Sequence, residues 1–143
     1  MFLNATEELQ RILREFDADS GTIHLLQPDG QLHLKAAHGI PEPVLQVIRV
    51  VPVGKGMAGL AAERREPVSI CNIQTDQSGD VRPGARATGL QGSVALPMLL
   101  GDELVGVLGI ASRAERVFTE AEIAQLLRVG TELAILTSRP TAS

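Results

Sequence analysis

Apolar positions at the two ends of the chain fall at helical spacing. Between residues 9 and 16 they recur on one helical face, after a segment that resembles a capping box with Asn4 as the cap. Near the C-terminus, Thr119 and Glu122 form a second capping-box pattern ahead of a long apolar run. These patterns predict terminal helices over about residues 5–16 and 119–137.

A first β-hairpin is predicted over about residues 22–37, where apolar and polar positions alternate on both sides of a Pro-Asp-Gly turn. Simple alternation places Ile23 and Leu34 together on a core face. The opposite, mixed face then carries His24 and His33, which we expect to be exposed. Two histidines without a suitably spaced Cys, Asp or Glu make a poor metal site.

A second hairpin is predicted over residues 93–112, around a Gly-Asp turn. Uninterrupted pairing from this turn puts Val94 and Val107 on one face, and Ala95 and Leu108 on the other. Because both faces are apolar, we expect these strands to lie in the middle of a covered sheet.

The stretch VPVGKGMAGLAAE, residues 51–63, contains the spacing G-x-G-x-x-G at Gly54, Gly56 and Gly59. In a dinucleotide-binding fold this motif lies between parallel strands that are joined by helical crossovers. Here antiparallel hairpins are predicted on both sides of it, which argues against that fold. We interpret the glycines as a tight turn into a helix over about residues 57–64, with Gly59 allowing close packing.

Residues 72–92 contain four glycines and few apolar anchors. A long segment without periodicity in a small domain is usually functional or mobile. Arg82 and Arg86 lie in it, near Asp76 and Asp80. They could bind a carboxylate or phosphate, or they could be solvated loop charges.

Composition narrows the functional classes. Seventeen acidic and thirteen basic residues give a net charge of −4, and Trp and Tyr are absent, so nucleic-acid binding is not expected. Cys71 is the single cysteine, which rules out an intramolecular disulfide. No apolar run reaches the length of a membrane span, and the N-terminus lacks a signal-peptide pattern. We therefore expect a cytoplasmic protein without a membrane or nucleic-acid partner.

Four segments in order resemble the GAF domain family over about residues 5–136. They are HGIPEPV, VPVGKGMAGLAAERREPVSICNI, GSVALPMLLGDELVGVLGIAS and RVFTEAEIAQLLRVGTELAIL. The resemblance implies an α+β, PAS-related fold with a central antiparallel sheet. Its terminal helices would cover one face, and a loop-roofed small-molecule pocket would lie on the other. We expect one domain over residues 1–138, followed by a tail or linker over 139–143.

The chain departs from the ligand-specific members of this family. Cyclic-nucleotide-binding members resemble an Asn-Lys pair followed by F-x-x-x-D-E, whereas here no such pair precedes Phe118 and Glu122-Ile123 replaces Asp-Glu. Bilin-binding, phytochrome-type members carry a Cys-His pair, but Asn72 follows Cys71. Members that reduce free methionine sulfoxide have several pocket cysteines. No cofactor is therefore expected.

The resemblance implies a non-catalytic sensory or regulatory domain in signal transduction. We expect it to bind an unidentified small ligand, to form a homodimer through its terminal helices, and to act on an effector domain or protein. Binding would order residues 72–92 and shift the terminal helices. Two alternatives stay open: a methionine sulfoxide reductase-like enzyme that uses Cys71, and a purely structural dimerisation module. The pocket candidates are Met57, Cys71, Val81, Arg82, Arg86, Leu90 and Ser93.

Overall fold

A computed structural model describes residues 4–75 and 89–138. Within them, six strands form one sheet in the order β3-β2-β1-β6-β5-β4, with every neighbouring pair antiparallel. The predicted α+β fold with a central antiparallel sheet is confirmed. The elements are α1 (Ala5–Glu15), β1 (Ser20–Leu26), β2 (Gln31–His38), α2 (Glu42–Ile48), β3 (Val50–Pro52), α3 (Gly56–Arg64), β4 (Val68–Ile70), β5 (Gly92–Leu100), β6 (Glu103–Ser112) and α4 (Glu120–Ser138).

Both predicted capping patterns are present at the terminal helices. The side chain of Asn4 accepts a hydrogen bond from the backbone N–H of Glu7 at 3.1 Å. Ahead of α4, the N–H of Glu122 donates to Oγ1 of Thr119 at 3.1 Å, and the N–H of Thr119 donates to the Glu122 carboxylate at 2.9 Å. These bonds satisfy N–H groups that have no partner within the helix, and so fix where each helix begins.

The two terminal helices cover one face of the sheet and form the main core with it. This core combines the apolar faces of α1 and α4 with inward-facing residues of the central strands. Its fully buried members include Leu9, Ile12, Ile23, Val94, Leu96, Met98, Leu108, Ile110, Leu126 and Leu133. A smaller core on the opposite face packs beneath α3 and includes Leu32, Val51, Ala61, Val68, Ala95 and Val107.

The first hairpin contains a β-bulge that the sequence pattern did not predict. Ile23 pairs with Ala36, but the next residue, His24, pairs with Leu34, so Lys35 is an extra residue in β2. One extra residue reverses the facing of the side chains beyond it. The prediction that Leu34 shares a face with Ile23 is therefore wrong, because Leu34 lies on the side of His24.

The same bulge separates the two histidines that were expected to share a face. His33 pairs with Leu25, and its Nε2 lies 2.7 Å from Oδ2 of Asp29 in the hairpin turn. His24 points to the opposite side of the sheet. The expectation of a common histidine face is therefore wrong.

A second bulge lies in the other hairpin. Leu99 pairs with Leu104, but Met98 pairs with Gly106, which leaves Val105 as the extra residue. Beyond this point Leu108 lies opposite Leu96 and faces the terminal helices. The predicted faces of Leu108 and Val107 are therefore exchanged, for the same physical reason as in the first hairpin.

The glycines of the G-x-G-x-x-G stretch make a turn from β3 into α3. Gly54 and Gly56 have φ angles of 94° and 65°, a region that side chains with a Cβ rarely adopt. A Cβ on Gly59 would lie 2.5 Å from the carbonyl oxygen of Pro52. The conformational interpretation of these glycines is confirmed, and the helix begins one residue earlier than predicted.

Candidate functional site

A cavity of about 300 Å³ lies on the face of the sheet opposite the terminal helices. Its floor is formed by β1, β5 and β6, where small residues such as Ala95, Gly109 and Ala111 leave space above the strands. Its walls come from α2, through Val44 and Ile48, and from the first turn of α3. A mostly apolar cavity of this size is at the lower end of the range typical of small-molecule sites.

Strand β1 supplies a row of polar side chains to this floor. Ser20, Thr22 and His24 all line the cavity. They share a face because side chains alternate along a strand, and the intervening Ile23 packs in the core beneath the terminal helices. Most of the polar side chains in the described lining therefore lie on one strand.

His24 is held in the cavity lining by burial and by a hydrogen bond. Its side chain is buried, with 2% of its surface exposed, and its Nε2 lies 2.8 Å from the carbonyl oxygen of Ile48. Because Ile48 is the last residue of α2, that oxygen has no partner within the helix. A carbonyl oxygen only accepts hydrogen bonds, so Nε2 carries the proton and Nδ1 of the neutral ring is an acceptor.

The protonation of His24 follows from its burial. Loss of hydration lowers the pKa of the imidazole below its ordinary value of 6.5, and the hydrogen bond to Ile48 opposes this only in part. The ring is therefore neutral near pH 7. The expectation that His24 lies on an exposed polar face is wrong, because α2 covers this end of β1.

Two residues of the cavity lining each carry a buried polar atom that has no hydrogen-bond partner within the described part of the chain. Nδ1 of His24 and Oγ of Ser20 make no hydrogen bond within the described residues, and Ser20 is only 1% exposed. Another such atom, Oγ1 of Thr137, lies on α4. Buried polar groups without partners are costly, so each calls for an explanation. In the cavity, a polar group of a bound molecule would supply the missing partner.

The predicted pocket residues separate into three groups. Met57, Leu90 and Ser93 line the cavity, and Oγ of Ser93 donates to the carbonyl oxygen of Ile110 at 3.4 Å. Cys71 is exposed and is not one of the described lining residues. The remaining candidates, Val81, Arg82 and Arg86, lie outside the described residues.

Sequence reasoning missed His24 and Ser20 as cavity residues. A usable signal was present, because Ser20, Thr22 and His24 alternate with the apolar residues Ile23 and Leu25. What the pattern could not show is that this polar row faces α2 rather than solvent.

Charged groups contribute little to the described lining. Lys55 is its only member with a formally charged side chain, and Lys55 is exposed. Within the parts of the chain that the structure describes, no cluster of three or more His, Cys, Asp or Glu residues could hold a metal ion. The described site therefore suits an apolar molecule with one or two hydrogen-bonding groups.

The fold and the cavity agree with the comparison to protein families. The sequence model of the GAF domain matches residues 3–137. The chain belongs to the GAF domain family. Among curated proteins, none matches this sequence.

Solved structures of several other proteins share the fold. A GAF domain region of a putative membrane protein from Geobacter sulfurreducens is 19% identical, with 92% of this chain and 88% of that chain covered and a TM-score of 0.78. The GAF domain of a phosphoenolpyruvate-protein phosphotransferase from Acinetobacter is 18% identical, with 90% and 75% covered and a TM-score of 0.74. Free methionine-R-sulfoxide reductase from Neisseria meningitidis, in complex with its substrate, is 17% identical, with 93% and 75% covered and a TM-score of 0.75.

The neighbours thus include GAF domains taken from other proteins and an enzyme, and at these identities they show the fold alone. The structure also bears on membrane insertion. Of the helices within the described residues, none combines the length and the apolar character that a membrane crossing needs.

Proposed function

We propose that this GAF domain is a non-catalytic sensory or regulatory module that binds a small ligand in the cavity between the sheet and α2 and α3. The observation that supports this most directly is that Ser20 and His24, which both line the cavity, each carry a buried polar atom without a partner among the described residues. A purely structural module would gain stability by filling this space with apolar side chains. Met57, Leu90 and Ser93 are proposed ligand contacts, and Val81, Arg82 and Arg86 stay predictions.

Strand β1 contacts both the cavity and the terminal helices. Thr22 and His24 face the cavity, while Ile23 between them packs beneath α1 and α4. A ligand that moves β1 therefore also changes the packing of the helices on the other face. If the ligand binds one arrangement of the terminal helices more tightly than another, it shifts the equilibrium towards the first.

We also propose that the domain forms a homodimer through its terminal helices and acts on an effector domain or protein. Ile135 and Leu136, near the end of α4, are 41% and 38% exposed. The outer face of α1 is instead polar, because Arg11 forms ion pairs with Glu8 and Glu15 at 2.8 and 3.3 Å. The apolar end of α4 is therefore the better candidate for the contact between two copies.

Ligand binding is tested by native mass spectrometry of freshly isolated protein and by thermal shift across a metabolite panel. We expect a bound mass or a compound that raises Tm, since a ligand that binds only the folded state stabilises it. An Ala58→Phe substitution fills the cavity from α3 and should abolish the shift. Ala124→Phe is the matched control, because Ala124 is exposed on α4. Repeated absence of a bound mass and of any shift contradicts the proposal.

The reductase alternative is less well supported by this chain than the sensory function. Thiol-based reduction usually needs a resolving partner for the reacting cysteine, and Cys71 is the single cysteine. It is also exposed and lies outside the described lining of the cavity. We expect Cys71→Ser and the parent protein to be equally inactive towards free methionine sulfoxide. Turnover that disappears in Cys71→Ser would establish the enzyme instead.

A further inference from the structure

We infer that the cavity selects largely apolar molecules that present an N–H or O–H group to Nδ1 of His24. This inference rests on the proposed ligand-binding function and names the chemical class of the ligand. The hydrogen-bonding role of one atom, Nδ1 of His24, is fixed by the surrounding structure.

The hydrogen bond between His24 and the end of α2 determines which ring nitrogen donates and which accepts. Nε2 of His24 lies 2.8 Å from the carbonyl oxygen of Ile48, so the single proton of the neutral ring is on Nε2. Nδ1 then holds a lone pair and no proton. A ligand carbonyl or ether oxygen placed against it would bring two lone pairs together, whereas an N–H or O–H group would form a hydrogen bond.

Ser20 does not determine whether the ligand must donate or accept a hydrogen bond. Its hydroxyl group can rotate and can either donate or accept. Oγ of Ser20 is buried and, like Nδ1 of His24, has no partner in the described ranges, and it adapts to whatever group lies beside it. The selection for a donor therefore comes from His24.

The rest of the described lining favours a neutral molecule. Its one formal charge is that of the exposed Lys55, so an anion that reached Nδ1 would lose its hydration beside an acceptor. The first turn of α3, residues 56–58, also lines the cavity, and a helix N-terminus favours negative charge. An anionic probe is therefore included in the test.

The test compares indole with benzofuran, two bicyclic molecules of nearly the same shape. Indole carries an N–H group where benzofuran has an oxygen atom. By isothermal titration calorimetry we expect the parent protein to bind indole about three- to tenfold more tightly, the value of one added hydrogen bond. In a His24→Phe variant the two affinities should agree within about twofold, since the acceptor that distinguishes the two probes, Nδ1 of His24, is gone. Benzoate, the anionic probe, should bind more weakly than indole.

His33→Phe is the matched control for this variant. His33 lies on β2, bonds to Asp29 in the turn and is not among the described lining residues. We expect it to keep the preference for indole. A second measurement needs no variant: the nitrogen signals of the histidine rings in the parent protein are followed by NMR near pH 7. Indole should shift the Nδ1 signal of His24, and benzofuran should leave it in place.

The outcomes separate this inference from the proposed function. Equal binding of indole and benzofuran overturns the inference and leaves ligand binding intact. Binding of neither probe overturns the inference, while the proposed ligand binding is decided separately by native mass spectrometry and the thermal-shift panel. Tighter binding of benzoate, or a preference for indole that survives in His24→Phe, also overturns the inference, because another group would then select the ligand.

Discussion

Arg116 and Glu122 form an ion pair, with 2.7 Å between Nη2 and Oε2, where the chain enters α4. The same guanidinium group donates to the carbonyl oxygens of Phe16 at 2.7 Å and Asp17 at 2.9 Å, just beyond the end of α1. It also lies over the ring of Phe118, 4.3 Å from the centroid. One side chain thus joins the end of the first helix to the start of the last.

We predict that Arg116→Met lowers the free energy of unfolding by about 1.5–3 kcal/mol, because it leaves two carbonyl oxygens and a carboxylate without their charged donor. Urea denaturation measures this loss. Arg113→Met is the control: Arg113 is exposed, and the hydrogen bond to Asp19 comes from its backbone N–H, which the substitution keeps. The control should stay within about 0.5 kcal/mol of the parent. Equal losses in both variants would contradict a joining role for Arg116.

The terminal helices were predictable because their signals are local. The side chain of Asn4 accepts a hydrogen bond from the N–H of Glu7, and that of Thr119 accepts one from the N–H of Glu122. The two partners are three residues apart in each case. The faces of the two hairpins were not predictable beyond their turns. An extra residue at Lys35 and another at Val105 reverse the facing of the residues that follow, and neither has a distinctive sequence signature.

The site was only partly predictable for a related reason. Met57 was a sound candidate because the helix that begins beside it follows a glycine turn. The role of His24 depends on Ile48, which is twenty-four residues away and belongs to a short helix with few sequence signals. Burial by a distant element turns a polar strand residue into a cavity residue, and hydrophobic patterning does not contain that information.

We predict that Gly59→Ala destabilises the domain by about 1–3 kcal/mol, since its Cβ would lie 2.5 Å from the carbonyl oxygen of Pro52 and the backbone must move. Gly130→Ala in α4 is the control. Its Cβ would meet its nearest neighbour at 3.5 Å, an ordinary contact. It should therefore be neutral or stabilise by up to about 1 kcal/mol through helix propensity. Equal stability of the two variants in urea denaturation would contradict the close-packing role of Gly59.

We predict that Ile135→Glu weakens self-association roughly tenfold or more, because it puts a charge into an apolar contact between copies of α4. Sedimentation velocity over a range of protein concentrations measures the dissociation constant. Val117→Glu is the control, since Val117 is 73% exposed and lies outside the terminal helices. A parent protein that is monomeric at every concentration, or equal weakening by both variants, would contradict the proposed dimer contact.

The buried ring of His24 predicts how stability depends on pH. Because burial lowers its pKa below 6.5, the folded protein binds fewer protons than the unfolded chain in the interval below that value. Stability attributable to His24 is therefore complete above about pH 7 and falls as the pH drops through the unfolded pKa, by at most about 1.4 kcal/mol per pH unit. We expect urea denaturation between about pH 7.5 and 5.5 to show this fall in the parent and in His33→Phe, and a smaller fall in His24→Phe.

A bound donor at Nδ1 would deepen the pH dependence of stability, because protonation of that atom abolishes its role as acceptor. An unchanged fall in His24→Phe would show that other groups cause it, and an NMR titration that gives His24 a pKa at or above 6.5 would contradict the burial of the ring beneath α2.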